Sequence, residues 1–291
     1  MWPTHAGANP WTRDAGHGYV NLNYATLGGD SFYAKIGEPA QPITYDYRQH
    51  TVGVYGELGI IDRYVTGMID STLFRQSGLA TQGYTQGMGD LRVGLWSAVP
   101  LDLLFPNVSI LRASGPFKLA FGLIQGMPTG DADPRAATDA ADGADELAAV
   151  LPTGDGEWDT EFAMAMGHAL KPTRMWPFEH YCLLRLGYWL RTQGFADAFN
   201  WHVELGTRLP MPIVERFTLI VRFFGSESFL NGAPMNGGIG LGNGVSYRSW
   251  GLELFGRVWK GIGASAAING AFAAQGIIAG AMVRGALSYE F

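Results

Sequence analysis

From Gly18 to Phe291 the chain alternates apolar and polar residues one for one, in stretches close to the roughly 10 residues that a tilted strand needs to cross a bilayer. The clearest stretch is 199–209. There Phe199, Trp201, Val203, Leu205 and Leu209 fall on one face of the pleat, and Asn200, His202, Glu204 and Arg208 on the other. The same period predicts strands over 18–26, 49–60, 64–74, 89–99, 117–126, 157–169, 180–192, 216–225, a stretch ending near Tyr247, 250–259 and 280–291. Residues 64–74, which carry Asp70, alternate least cleanly. The total is about twelve, an even number that returns both ends of the chain to one side of a closed barrel. The longer connections, 27–48, 76–87, 127–156, 193–198, 226–238 and 260–278, would lie at the other end. Segment 260–278 is rich in Ala and Gly and is either a loop or a further strand. Segment 100–116 breaks the scheme, because Leu101, Leu104, Phe105, Ile110 and Leu111 are too apolar for a free turn. It is either an interfacial helix or docking surface for another protein, or an earlier start of the next strand near Val108.

Two unlike faces, one suited to lipid and one to water, predict an all-β fold: an antiparallel transmembrane β-barrel of about 12 strands with both termini periplasmic. No run of roughly 18 apolar residues is present, so the chain does not cross a bilayer as a helix. Composition agrees, with 47% hydrophobic residues, 41 Gly and 9 Trp, because only every second strand residue would meet lipid. The competing fold is a soluble all-β sandwich or barrel, which alternates too but does not need repeated strands of bilayer length. Residues 1–17 read as an N-terminal periplasmic segment and 18–291 as a single barrel. Residues 1–18 hold His5, Arg13, Asp14 and two prolines and lack the apolar core of a signal peptide, so export is implied by the barrel and the numbering reads as starting after processing. The lone Cys182 excludes an internal disulfide. A net charge of −6 without a basic aromatic patch argues against nucleic acid.

The residues predicted to face inward carry both signs of charge. Asp90, Arg92, Trp96, Glu157, Asp159, Glu161, Arg185, Arg191, His202, Glu204, Arg208, Arg222, Glu253, Arg257 and Arg284 would line the lumen, pairing across strands or serving as a selective channel lining. Their bulk predicts a narrow lumen with arginines paired to carboxylates, since about eight strands leave an interior just filled and sixteen or more leave an open channel. Acidic residues between Asp131 and Asp155 lack the ligand spacing of a calcium loop, and an Ala-rich middle, 136–150, predicts a short helix over the mouth. No nucleophile, base and orienter share a recognisable spacing, so no enzyme is expected, and no cofactor or metal.

The final strand, with Leu287, Tyr289 and Phe291 on one face, resembles the terminal assembly signal of bacterial outer-membrane barrels. Three further motifs, Gly89-Asp90-Leu91-Arg92-Val93-Gly94-Leu95, Pro128-Thr129-Gly130, and the run from Gly154-Asp155-Gly156-Glu157-Trp158 to Phe162, resemble those of the phenol MetA-type barrels, the outer-membrane family named for the meta-pathway of phenol degradation. That resemblance spans most of the chain and implies passage of small, often hydrophobic compounds across the bacterial outer membrane. It brings no catalytic residue. The implied partners are outer-membrane lipids, the barrel assembly machinery and other envelope proteins. Two functions stand open: a narrow channel for passive diffusion of small hydrophobic or aromatic molecules, and a structural barrel that anchors or scaffolds an envelope assembly.

Overall fold

The computed structural model describes residues 10–80, 83–101, 117–132, 151–170, 172, 178–209, 217–229, 241 and 243–291, apart from the side chain of Tyr45. Its strands are β1 (Gly18–Tyr33), β2 (Gln41–Ile61), β3 (Val65–Leu79), β4 (Gly83–Gly87), β5 (Leu91–Ala98), β6 (Phe117–Met127), β7 (Asp159–Leu170), β8 (His180–Arg191), β9 (Ala198–Leu209), β10 (Phe217–Ser228), β11 (Ser246–Trp259), β12 (Ile262–Gln275), β13 (Ile277–Ile278) and β14 (Met282–Glu290). Each long strand pairs antiparallel with its neighbours, and β1 pairs with both β2 and β14, which closes the sheet. The short β4 and β13 add to the ends of β3 and β1, leaving twelve of the fourteen strands in the ring. Closure removes the unpaired edges that an open sheet would expose. At the seam Gly18 N donates to Phe291 O (2.9 Å) and Phe291 N donates to Gly18 O (3.1 Å). The Phe291 ring lies where a side chain on residue 18 would sit, which is why a glycine stands there.

The strand count matches the expectation, but two elements differ in a way that cancels. The predicted strand ending near Tyr247 does not exist among the described residues, where Asn243 and Gly244 form a turn and β11 begins at Ser246. Segment 260–278, expected at the loop end, instead holds β12. Its inward positions are Gly263, Ser265, Ala267 and Asn269, so both faces are small or apolar and the polar contrast that marks a strand is lost. Lys260 and Gly261 make the tight turn before it, with Gly261 at φ 78°. Loops 27–48 and 76–87 are shorter than expected, because β1, β2 and β3 run on into them, where Leu27, Phe32, Tyr47 and Leu79 pack with Ile278. The uneven pattern of 64–74 has a cause as well. A bulge leaves Leu73 unpaired opposite Val52 and Gly53, so the inward set changes from Thr66, Met68 and Asp70 to Arg75, Ser77 and Leu79. Residues 102–116 and the middle of the acidic loop, 133–150, lie outside the described residues. With them go the expectations for Leu104, Phe105, Ile110, Leu111 and the short helix.

Every strand of the ring carries a large apolar side chain exposed on its outer face, among them Leu22, Leu58, Leu95, Phe121, Phe162, Leu205, Phe223, Leu252, Ile268 and Leu287. An apolar belt of this extent is incompatible with water and suits lipid. Among the described residues no helix is long and apolar enough to cross a membrane. Val203 belongs to this belt, set between Leu184 of β8 and Phe223 of β10. Val203→Arg should therefore destabilise the lipid-embedded barrel by about 2–4 kcal/mol, while Val203→Leu should be nearly neutral. Equilibrium unfolding from lipid vesicles reads the difference, and equal stability of the two variants would contradict the assignment of faces.

Candidate functional site

Pairing of neighbouring strands sets inward side chains side by side, and ionised groups enclosed in this way need partners. Glu204 of β9 stands directly opposite Arg222 of β10. Arg222 Nε donates to Glu204 Oε2 (2.6 Å), and its Nη1 donates to Glu253 Oε2. Arg284 Nη2 donates to that same Glu253 oxygen (2.8 Å), and Tyr181 Oη donates to Glu204 Oε1 (2.5 Å). His202 Nε2 stands 3.4 Å from Glu204 Oε2. Five strands, β8, β9, β10, β11 and β14, are thereby tied through four charges, two of each sign.

A second network occupies the wall from β5 to β8. Glu161, 0% exposed, accepts from Arg185 Nη2 (2.6 Å) and Arg92 Nη2 (2.9 Å), and Arg92 also reaches Asp159 (3.5 Å). Arg92 and Arg191 lie over the Trp189 ring, and Arg185 over Trp96, so the aromatic faces add cation–π contact to the same arginines. Arg191 binds Glu157 and Asp155. Near the terminal end Arg257 pairs with Glu290 (2.8 Å) and Arg208 with Glu179. Of the charged residues predicted to face inward, Asp90 alone joins no ion pair among the described residues. Its carboxylate instead accepts from Gly130 N (3.0 Å) and Asp155 N (2.9 Å).

That last arrangement explains the three family-like motifs. Thr129 Oγ1 donates to Gly89 O (2.8 Å), Asp131 N donates to Thr153 Oγ1 (2.9 Å), and Asp90 bridges both chain segments. The motifs fasten the two ends of the long β6–β7 connection to the start of β5. Gly130 and Gly154 approach so closely there that neither admits a side chain.

The segment before β1, expected as a periplasmic tail, runs across one end of the barrel. Arg13 Nε donates to Glu57 Oε2 of β2 (2.7 Å) and its Nη1 donates to Glu290 Oε1 (3.3 Å), while the guanidinium lies over Tyr19. Tyr55 Oη donates to the other Glu57 oxygen (2.6 Å). Trp11 packs edge-on against Tyr181 of β8 with ring centroids 5.9 Å apart, and Pro10 and Trp11 cover Gly167 of β7. Strand β8 lies six places from β1 in either direction around the ring, so residues 10–13 span the lumen from wall to wall. Gly16 N donates to Gly59 O and Gly59 N to His17 O (both 2.9 Å), which anchors the segment on β2. Neither Glu57 nor Arg13 has a role legible in the sequence, because nothing local to a residue ahead of the first strand shows where it folds.

The charges of these networks are therefore balanced locally, each arginine named above meeting at least one carboxylate. Among the described residues no cluster of His, Cys, Asp and Glu could hold a metal ion. No family model matches the chain, and no curated protein matches it. Solved structures do. The COG4313 outer membrane channel from Pseudomonas putida F1 superposes with a TM-score of 0.64 at 12% identity, over 99% of this chain and 100% of that one. The β-domain of the Bordetella autotransporter BrkA gives a TM-score of 0.52 at 12% identity, over 95% of this chain and 100% of that one. At such identity the likeness establishes the shared fold, a closed antiparallel barrel of twelve strands.

Proposed function

We propose that this chain is a bacterial outer-membrane protein that lets small molecules pass down their concentration gradient through a narrow lumen. The observation that carries the reading is the combination of an apolar outer belt on every strand with an inner face whose charges are mostly paired between nearby strands. Asp90, Arg92, Trp96, Glu157, Asp159, Glu161, Arg185, Arg191, His202, Glu204, Arg208, Arg222, Glu253, Arg257 and Arg284 line that passage in this reading. Both termini face the periplasm, with residues 1–17 as the periplasmic segment and 18–291 as the barrel. The β5–β6 connection beginning at Leu101 meets lipid or another envelope protein. Leu287, Tyr289 and Phe291 present the signal read by the barrel assembly machinery, a role supported by the outward exposure of all three at the seam. No residue is given a catalytic role.

The solutes are small and weakly polar in this reading, which takes their class from the resemblance to the phenol meta-pathway family and passage itself from the likeness to the Pseudomonas putida outer membrane channel. Efflux from proteoliposomes tests this. Phenol-sized neutral solutes should leave faster through the protein than through bare lipid, while disaccharides should stay. Equal, rapid loss of both would indicate a general pore, and no gain for either would exclude the channel.

A further inference from the structure

Above the Arg222–Glu253–Arg284 network, toward the loop end, the lumen opens into a cavity of about 280 Å³. Phe224 and Met282 lie one inward position beyond Arg222 and Arg284, so the network forms the cavity floor. The walls are mostly apolar and aromatic: Leu27, Phe224, Tyr247, Ile278 and Met282, with Phe224 and Tyr247 packed edge to face at 6.3 Å. One corner differs. Tyr47, Gln49 and Arg75 meet there, and Gln49 Oε1 accepts from both Tyr47 Oη (2.7 Å) and Arg75 Nη2 (3.0 Å). Arg75 points inward only because of the bulge at Leu73.

This arginine stands apart from the others of the lumen. Each of Arg92, Arg185, Arg191, Arg222, Arg257 and Arg284 meets at least one carboxylate, whereas among the described residues Arg75 meets the neutral Gln49 and no acid. Its Nε is also buried without a hydrogen-bond partner among them. An enclosed guanidinium of this kind is a site for an anion, and its planar fork suits a carboxylate. We propose that the cavity binds a small monocarboxylate with an apolar body of one ring or a short chain. The carboxylate takes the Arg75 corner and the body rests against Phe224, Ile278 and Met282. The volume lies just under the roughly 300–1,000 Å³ of pockets for drug-sized ligands, which fits one ring and excludes larger solutes.

The inference deepens the channel reading and rests on it for its biological meaning, yet it can fail separately, because its test reads binding and not flux. Benzoate, with benzyl alcohol as its neutral counterpart, is titrated by calorimetry into the full-length barrel refolded in detergent. Benzoate should bind the native chain, R75Q should weaken it about tenfold or more, and benzyl alcohol should bind weakly to both alike. A271F keeps Arg75 and fills the cavity, so it should abolish benzoate binding, and it decides the matter if R75Q does not fold. Failure of benzoate to bind the native chain, undiminished binding by R75Q or A271F, or benzyl alcohol binding as tightly as benzoate would overturn the proposal. A barrel that binds benzoate but conducts nothing would refute the channel and leave the site. One that conducts and does not bind would refute the site and leave the channel.

Discussion

Arg222→Ala should destabilise the barrel by about 3–5 kcal/mol, among the largest losses expected of any single lumen substitution. Arg222 is 6% exposed and is shared between Glu204, 8% exposed, and Glu253, 2% exposed, so its removal strips an ion-pair partner from two enclosed carboxylates at once. Arg284 still reaches Glu253, and Tyr181 and His202 still reach Glu204, which holds the effect toward the lower figure. Glu204→Gln is the informative control. It keeps an oxygen facing Arg222 and leaves that guanidinium its second carboxylate, so it should lose only about 1 kcal/mol. Denaturant unfolding from lipid vesicles measures both. Equal stability of Arg222→Ala and the native barrel would mean that water in the lumen screens these charges and that the network does not hold the wall together.

Deleting residues 1–13 should raise ion conductance severalfold while leaving a folded barrel. Its described residues, 10–13, enter no strand, and the closing seam between β1 and β14 lies beyond them. What it supplies is obstruction: Trp11 against Tyr181 on one wall and Arg13 on Glu57 and Glu290 at the other, with Pro10 fully buried between walls. A twelve-stranded ring lies between barrels that side chains fill and barrels that stay open, so one crossing segment has a large effect on the bore. The loss of Arg13 leaves Glu57 with Tyr55 and Glu290 with Arg257, which keeps both carboxylates hydrogen-bonded. Electrical recording of the deletion variant beside the native chain is the check. Unchanged current would place the constriction elsewhere, in the two arginine networks.

How much of this was legible in the sequence depends on contrast between the two faces. Strand β9 was plain because Trp201, Val203 and Leu205 alternate with His202, Glu204 and Arg208 across a bulge-free stretch. Strand β12 was hidden because alanines and glycines on both faces carry no such contrast. The bulge at Leu73 blurred β3 and concealed the inward turn of Arg75, for a one-residue insertion exchanges the faces from that point on. Pairing partners were legible only as a class. That arginines would meet carboxylates followed from enclosed charge, but that Arg222 joins Glu204 to Glu253 required the register. The crossing segment at Arg13 was not legible, since its contacts join residues as far apart in sequence as Arg13 and Glu290.

Single-channel recording of the full chain in planar bilayers tests the central claim, a narrow passage through a charge-balanced lumen, most directly. The account predicts small, resolvable current steps with weak preference between anions and cations, because most lumen charges are paired. A steady large conductance typical of a general porin would contradict the narrow bore. Complete absence of current, in the native chain and in the chain lacking residues 1–13 alike, would contradict the passage itself and favour the barrel as an anchor for an envelope assembly.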